Sequence, residues 1–464
     1  MADTQDHILS IDWGSTHAKA AVFDTRLERL AESARPVRYA IRDAERAELD
    51  PEEVWESTAD LIRAACRDAA LAPRRLGTIA LTSQAQTFTV LDAAGEPVLP
   101  FLSWLDRRSR DDVAPLAEAL GAGFHESCSY PGPRPALQLC KIRWLQRTRA
   151  GLIGPDARVA PLTSFLALRL AGVLHVDRNL AAMTGLYSLR TGGWWPEALR
   201  LSGLREEQLP PLIDVGESVR VVKPCTELGL SPDLQILFAG NDQTAGAYGN
   251  RCHDGGLVVT LGTALVSYRH AGSVPGPYSP GGCWGPYPAG GFYELAGQDE
   301  GGAALDWARE RLMPGRDIAA FLAAARSAHD SQLRNTPLFY PSRMGTDEVW
   351  LGEEDRDARA LAVLEGISFA LKRLILDGLR VGLPVPSVCV SGGGSRSAFW
   401  LQLLADILNS PVRRAEGDAL LGAAAMARRE SLRPESTPAP PLLPAPPQAA
   451  YYDDLYCAWS GTRR

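Results

Sequence analysis

The feature that most narrows the folds open to this chain is a device used twice. Residues 7–24, HILSIDWGSTHAKAAVFD, read as strand, tight turn, strand. Ile8, Leu9 and Ile11 lead in, Gly14, Ser15 and Thr16 turn the chain, and residues 20–23 lead out. Residues 255–270, GGLVVTLGTALVSYRH, repeat the pattern around Gly262 and Thr263. Such an internal duplication implies two similar domains facing one cleft. The first turn also gathers backbone N–H groups, two hydroxyls, a carboxylate at Asp12 and a cation at Lys19, a set able to hold a polyphosphate and its magnesium.

The rest of the second half alternates strand and helix. Gly301 and Gly302 open a helix toward Leu312, and residues 361–379 form a long amphipathic helix stopped by Gly382 and Pro384. A short apolar strand at 387–390 runs into Gly392, Gly393, Gly394 and Ser395. Helix 399–408, strand 412–415 and helix 420–428 follow, so the sheet should be largely parallel with both faces covered. Residues 435–448 are proline-rich and read as a linker or surface arm, and the tail 451–459 can dock back.

In the first half a helix starts at an Asp50 cap, with Pro51 at its first position and Glu52 and Glu53 in its first turn. A buried strand over 78–82 ends in Ser83, Gln84, Ala85 and Gln86. A hairpin from Phe88 then returns to Trp104, a tryptophan beside polar residues that suits either the core or the wall of a sugar site. Arg107, Arg108 and Arg110, followed by Asp111 and Asp112, read as a solvated helix start. The region 192–235 has helix and loop signals whose order cannot be assigned.

A carboxylate stands among small residues in AGNDQTAGAYG, residues 239–249, directly after the apolar run 234–238. Two readings of Asp242 are open from the residues alone: it caps a helix over 243–248, or it is a general base at a strand end.

Composition closes several function classes. A net charge of -7 argues against nucleic acid or an anionic membrane as partner. No run approaches the ~18 apolar residues of a membrane span. Eight cysteines are spread without a CxxC pair, which suits a reducing cytoplasm, offers no zinc spacing and argues against an iron–sulfur site. Of the four lysines (Lys19, Lys141, Lys223 and Lys372) none follows a glycine, so a P-loop is excluded. No GxGxxG follows a strand, so a nicotinamide cofactor has no support.

In order and at family-like spacing, IDWGSTHAK, PFLSWLDRRS, KIRWL, AGNDQTAGAYG, VVTLGTA and VSGGGSRSAFW resemble the FGGY carbohydrate kinases, over roughly residues 7–430. The resemblance implies an α/β, duplicated actin-like (ribonuclease H-like) ATPase fold, with ATP in the interdomain cleft. It implies domains over 1–249, for the sugar and first phosphate loop, and 250–430, for adenosine, with an arm and tail over 431–464. It makes Asp242 the base and Gln243 a polyol ligand, and puts Asp12 by Mg2+, directly or through water. It makes Gly14, Ser15, Thr16 and Lys19 the first phosphate loop and Gly262 and Thr263 the second. Gly301, Gly302, Gly393, Gly394 and Ser397 then frame the adenosine.

Two departures bear on the substrate. The family's lysine–tryptophan signature has an aromatic or small residue five places before the lysine and Pro, Ser or Thr three before, where this chain has Ala136 and Gln138. Glycerol kinase carries Arg-Glu where this chain has Ala85 and Gln86, and xylulokinase carries Met-His. The expected partner is a small-molecule sugar or polyol other than glycerol, held by Gln86, Trp104, Asp242 and Gln243, with a homodimer allowed. Two alternatives stay open: a non-catalytic actin-like regulator, and an ATP-dependent kinase of a non-sugar substrate.

Overall fold

The computed structural model describes residues 6–252, 256–272, 281–288, 290–299, 301–331, 337–352, 356–379, 387–428 and 440–461. Gly255, the helix stop at Gly382 and Pro384, and the arm through residue 439 lie outside them. Two compact units divide the chain. The first comprises Met1–Arg251, Trp284–Tyr293 and Gly417–Arg433, and the second Cys252–Cys283, Glu294–Glu416 and Pro434–Arg464.

In the first unit, strands β1 (His7–Trp13), β2 (His17–Phe23) and β3 (Arg29–Pro36) form an antiparallel meander. Helix α1 (Pro51–Asp68) then crosses to β4 (Leu76–Ser83), which lies parallel to β1. The start of α1 is local chemistry: the Asp50 carboxylate accepts the N–H groups of Glu52 and Glu53 at 2.8 and 3.1 Å, and Pro51 needs no acceptor. Helices α2 (Gln138–Thr148) and α3 (Arg178–Ala182) precede β5 (Gln235–Asn241), which pairs parallel with β4 and runs into α4 (Asp242–Gly249). A short edge strand, Ser218–Arg220, completes the order, and the region that could not be ordered from sequence holds it along with one helix, Pro196–Ser202.

The second unit repeats the plan. Strands β6 (Leu257–Leu261) and β7 (Leu265–Gly272) are antiparallel; β8 (Cys283–Pro286) follows, mostly within the first unit, and β9 (Phe292–Gln298), mostly within the second. Helices α5 (Gly302–Leu312), α6 (Ile318–Asp330) and α7 (Arg356–Gly378) lead to β10 (Val388–Ser391), parallel to β6. Helix α8 (Ala398–Leu408) then leads to β11 (Val412–Arg414), parallel to β10. Both sheets therefore join an antiparallel hairpin to two parallel strands beside its first member, as the duplicated hairpins implied. Helix α9 (Ala419–Arg428) returns to the first unit, where Leu420 and Ala424 pack on Ile8, Ala21 and Phe23.

Two local expectations are corrected. The described part of the proline-rich arm is no linker. Leu442 pairs with Val412 in both directions, at 2.7 and 2.9 Å, and Pro446 and Pro447 open helix α10 (Pro446–Ser460). Proline at a helix start loses no hydrogen bond, so a proline cluster there marks an N-terminus. The tail does dock: Tyr452 is buried and its hydroxyl donates to Glu365 at 3.2 Å, while the Trp459 indole donates to the Phe339 carbonyl at 2.8 Å.

Nor is the arginine cluster uniformly solvated. The Arg108 side chain is only 16% exposed, held by Asp106 at 2.7 Å and Glu48 at 2.5 Å, with its guanidinium 4.7 Å from the Trp144 ring centre. Both carboxylate partners precede it, Asp106 by two residues and Glu48 by 60, and the reading of a charged run as surface missed the distant Glu48.

Candidate active site

In the first unit the β1–β2 turn closes with the Gly14 N–H on the His17 carbonyl at 3.1 Å, leaving Ser15 and Thr16 at its tip. Asp12 lies opposite Lys19 across the hairpin. One of its oxygens, Oδ1, is buried without a hydrogen-bond partner among the described residues. Burial, and after it the charge of Asp242, push the Asp12 carboxyl well above the usual carboxylate range, against the pull of Lys19. A buried, unpartnered carboxylate oxygen beside a second carboxylate is a place where a hard cation fits. Among the described residues no three acidic, His or Cys side chains gather as a closed metal cage. Mg2+ does not need one, because it is usually held by one or two carboxylates plus phosphate oxygens and water.

Asp242 stands at the first position of α4. Asn241, not Asp242, is the cap: its side chain accepts the Thr244 N–H at 2.7 Å. Asp242 Oδ1 accepts the adjacent Gln243 N–H, at 2.8 Å. Burial raises the Asp242 carboxyl to about 6, while the backbone N–H groups of the helix start oppose the rise. The capping task has thus passed to the neutral neighbour, and the carboxylate is left with an affinity for protons near neutrality.

The end of β4 builds the adjoining wall. Gln84 donates its side-chain amide to the Gly14 carbonyl at 3.3 Å, tying this strand end to the first turn. Gln86 adopts φ +64°, and its Nε2 donates to the Tyr130 hydroxyl at 3.1 Å. Trp104 is not core: it is 38% exposed, with its backbone N–H on Thr87 Oγ1 at 3.2 Å. Beneath both lies Lys141, fully buried, whose Nζ donates to the Ser103 carbonyl at 2.6 Å and reaches the Gln86 carbonyl at 3.5 Å. Burial lowers the Lys141 ammonium to about 7. The KIRWL motif thus supplies a cation that braces the backbone next to Gln86 and Trp104. Tyr130 comes to Gln86 from 44 residues away in sequence, and no local motif marks it. Gln243 follows Asp242 on α4 and is half-buried.

In the second unit a cavity of about 700 Å3 is lined by Gly262, Thr263, Gly302, Gly393, Gly394 and Ser397. The structure thereby brings together six of the seven residues expected around the second phosphate loop and adenosine. The seventh, Gly301, is a packing joint: a Cβ there would come within 2.8 Å of the Gly262 carbonyl oxygen, and the Gly302 N–H donates to that same oxygen at 2.6 Å. Leu305, Ile318, Leu322, Ile367 and Trp400 give the cavity an apolar wall, with Asp306 and Arg396 at its polar side. Apolar walls with a few polar groups suit a planar heterocycle. Ser397 also caps α8, accepting the Trp400 N–H at 3.2 Å. The apolar wall residues come from four separate helices, α5, α6, α7 and α8, and no short motif marks them.

Comparisons with known proteins bear on the same residues. The model of the FGGY family of carbohydrate kinases, N-terminal domain, matches residues 7–249, and that of its C-terminal domain matches 257–430. A glycerol kinase of Koribacter versatilis is 30% identical over 441 residues, covering 88% of this chain and 86% of its own length. A gluconokinase of Bacillus subtilis is 24% identical over 439 residues, covering 88% and 83%. The crystal structure of a xylulose kinase from Rhodospirillum rubrum superposes with a TM-score of 0.89 at 22% identity, covering 98% of each chain, a likeness of fold. Among the described residues no helix is long and apolar enough to cross a membrane.

Proposed function

The chain belongs to the FGGY family of carbohydrate kinases and transfers phosphate from ATP to a hydroxyl of a sugar or polyol, and we propose that Asp242 is the general base of that transfer. The observation that carries this reading is the division of labour at the start of α4: Asn241 caps the helix, and Asp242 keeps a carboxylate raised to about 6. A sugar hydroxyl hydrogen-bonded to Asp242 gives up its proton to the carboxylate as its oxygen bonds to phosphorus and the bond to the ADP oxygen breaks. Closure of the transfer demands little covalent work from the protein, so positioning and charge neutralisation supply most of the rate.

The proposed roles divide by residue. Gly14, Ser15, Thr16 and Lys19 hold phosphate in the first unit, and Asp12 would hold Mg2+, which would supply neutralising charge to the phosphoryl oxygens. Gly262, Thr263, Gly302, Gly393, Gly394 and Ser397 hold the nucleotide in the second unit, with Gly301 shaping that backbone. The functional division is 1–249 for the sugar, 250–430 for adenosine and 431–464 as arm and tail, although α9 packs in the first unit. Eight free thiols and the charge balance favour the cytoplasm.

Asp12→Ala should raise the Mg2+ concentration for half-maximal rate by roughly tenfold or more. Titrating Mg2+ at saturating sugar checks this, and an unchanged requirement removes Asp12 from the metal's surroundings.

The substrate proposed is a ketose or polyol longer than glycerol. Ala85 leaves room, and Gln86 offers both donor and acceptor to alternating hydroxyls, with Tyr130 holding its amide and Trp104 exposing an apolar face. Gln86→Ala should raise KM for the sugar roughly three- to tenfold, the worth of one hydrogen bond, and leave KM for ATP near wild type. ADP release measured across trioses, tetroses, pentuloses and hexuloses tests the class. Glycerol giving the highest kcat/KM would overturn it.

A further inference from the structure

Strand β5 cannot hold its own end. Its register against β4 breaks between Phe238 and Asn241, and Gly240 takes φ +73°. The backbone groups just before Asp242 therefore need partners outside the sheet ladder. Thr82 Oγ1 donates to the Gly240 carbonyl at 2.8 Å. The Asn241 N–H donates to Asn179 Oδ1 at 3.0 Å.

Asn179 does more than accept that bond. Its Nδ2 donates to Thr244 Oγ1 at 2.9 Å and to the Pro286 carbonyl at 2.8 Å. A carbonyl can only accept and a backbone N–H can only donate, so these partners fix which way the amide points. The side chain is fully buried. It thus spans the turn that carries Asp242, gripping Asn241 before it and Thr244 after it, and ties both to a strand from the second half of the sequence. Gly240 is shaped to this grip: a Cβ there would stand 2.8 Å from Asn179 Oδ1.

We propose that Asn179 is a positioning residue for the phosphoryl transfer, clasping the turn so that Asp242 presents its carboxylate to the substrate hydroxyl. The proposal rests on the reading of Asp242 as base. It assigns Asn179 no contact with substrate, since all three of its bonds go to protein. A misplaced base costs rate far more than it costs binding of a nucleotide held elsewhere.

The test is a double-mutant cycle on the full-length enzyme, with thermal melting to follow the fold. Asn179→Ala should lower kcat roughly 10- to 100-fold and leave KM for ATP within about twofold. In an Asp242→Asn background the same change should cost less than about twofold, because the group it positions is already gone. An equal loss in both backgrounds would make Asn179 merely structural and overturn the proposal, as would a wild-type kcat. Thr244→Val, a milder change that removes one of the three bonds, should lower kcat roughly threefold in the wild-type background alone. It keeps the question open to refutation if Asn179→Ala does not fold, since an unchanged kcat, or the same loss with Asp242→Asn, counts against the clasp. Failure of the base reading shows separately, as near wild-type turnover by Asp242→Asn itself.

Discussion

Asp242→Asn should lower kcat by roughly 10²-fold or more, the usual scale for losing a general base, with KM for ATP little changed. The substitution is nearly isosteric. The asparagine carbonyl can still accept the Gln243 N–H that Asp242 Oδ1 accepts at 2.8 Å, and the cap made by Asn241 is untouched. What is lost is the capacity to take a proton. The same carboxylate sets the direction of the pH dependence. Burial raises it to about 6, so it is ionised and competent above that pH and protonated below it. The wild-type kcat should therefore fall as pH drops through about 6, and the residual activity of the variant should lack that limb. Steady-state rates of ADP release from pH 5 to 8 measure both. Near wild-type turnover in the variant, or an identical acid limb, would take Asp242 out of the reaction.

What could be read from the sequence follows the range of the interaction involved. The two hairpins announce themselves because strand, glycine–hydroxyl turn and strand lie within about twenty residues, and the topology repeats in the second unit as that duplication implied. Helix α1 was equally legible, since Asp50, Pro51, Glu52 and Glu53 are neighbours in sequence as well as in space. The choice between cap and base at residue 242 was not, because Asn241 and Asp242 are both competent caps and only the bond from Thr244 shows which one serves. Tyr130 meets Gln86 across 44 residues, and Asn179 meets Asn241 across 62. Neither pairing has a local signature. The proline-rich arm failed for another reason: composition was read as conformation, whereas proline at the first turn of α10 is compatible with a helix.

Gly422→Ala should destabilise the first unit by about 3 kcal/mol or more, although alanine is the better helix former by about 1 kcal/mol. The reason is the crossing of α4 and α9. A Cβ at Gly422 would stand 1.8 Å from the Ala245 carbonyl oxygen and 2.8 Å from the Gly249 nitrogen, both backbone atoms that no rotamer change can move. The contact is reciprocal, since a Cβ at Gly249 would come within 2.4 Å of the Asp418 carbonyl oxygen. Asn250 locks the same crossing, donating to the Gly417 carbonyl at 2.8 Å and accepting its N–H at 3.0 Å. To admit the methyl group α9 must move off α4 by more than 1 Å, and α4 begins with Asp242. A loss of ~3 kcal/mol corresponds to roughly 6–12 °C in Tm for a unit of this size, and kcat should fall with it. Gly246→Ala supplies the contrast on the same helix. Its Cβ would meet nothing closer than the Ala419 nitrogen at 3.9 Å, an ordinary contact, so helix propensity alone decides and Tm should hold or rise. Melting curves of the two variants therefore separate close packing at the crossing from a general intolerance of alanine in α4 and α9. Equal Tm values for Gly422→Ala and the wild type would show that the two helices do not need to touch.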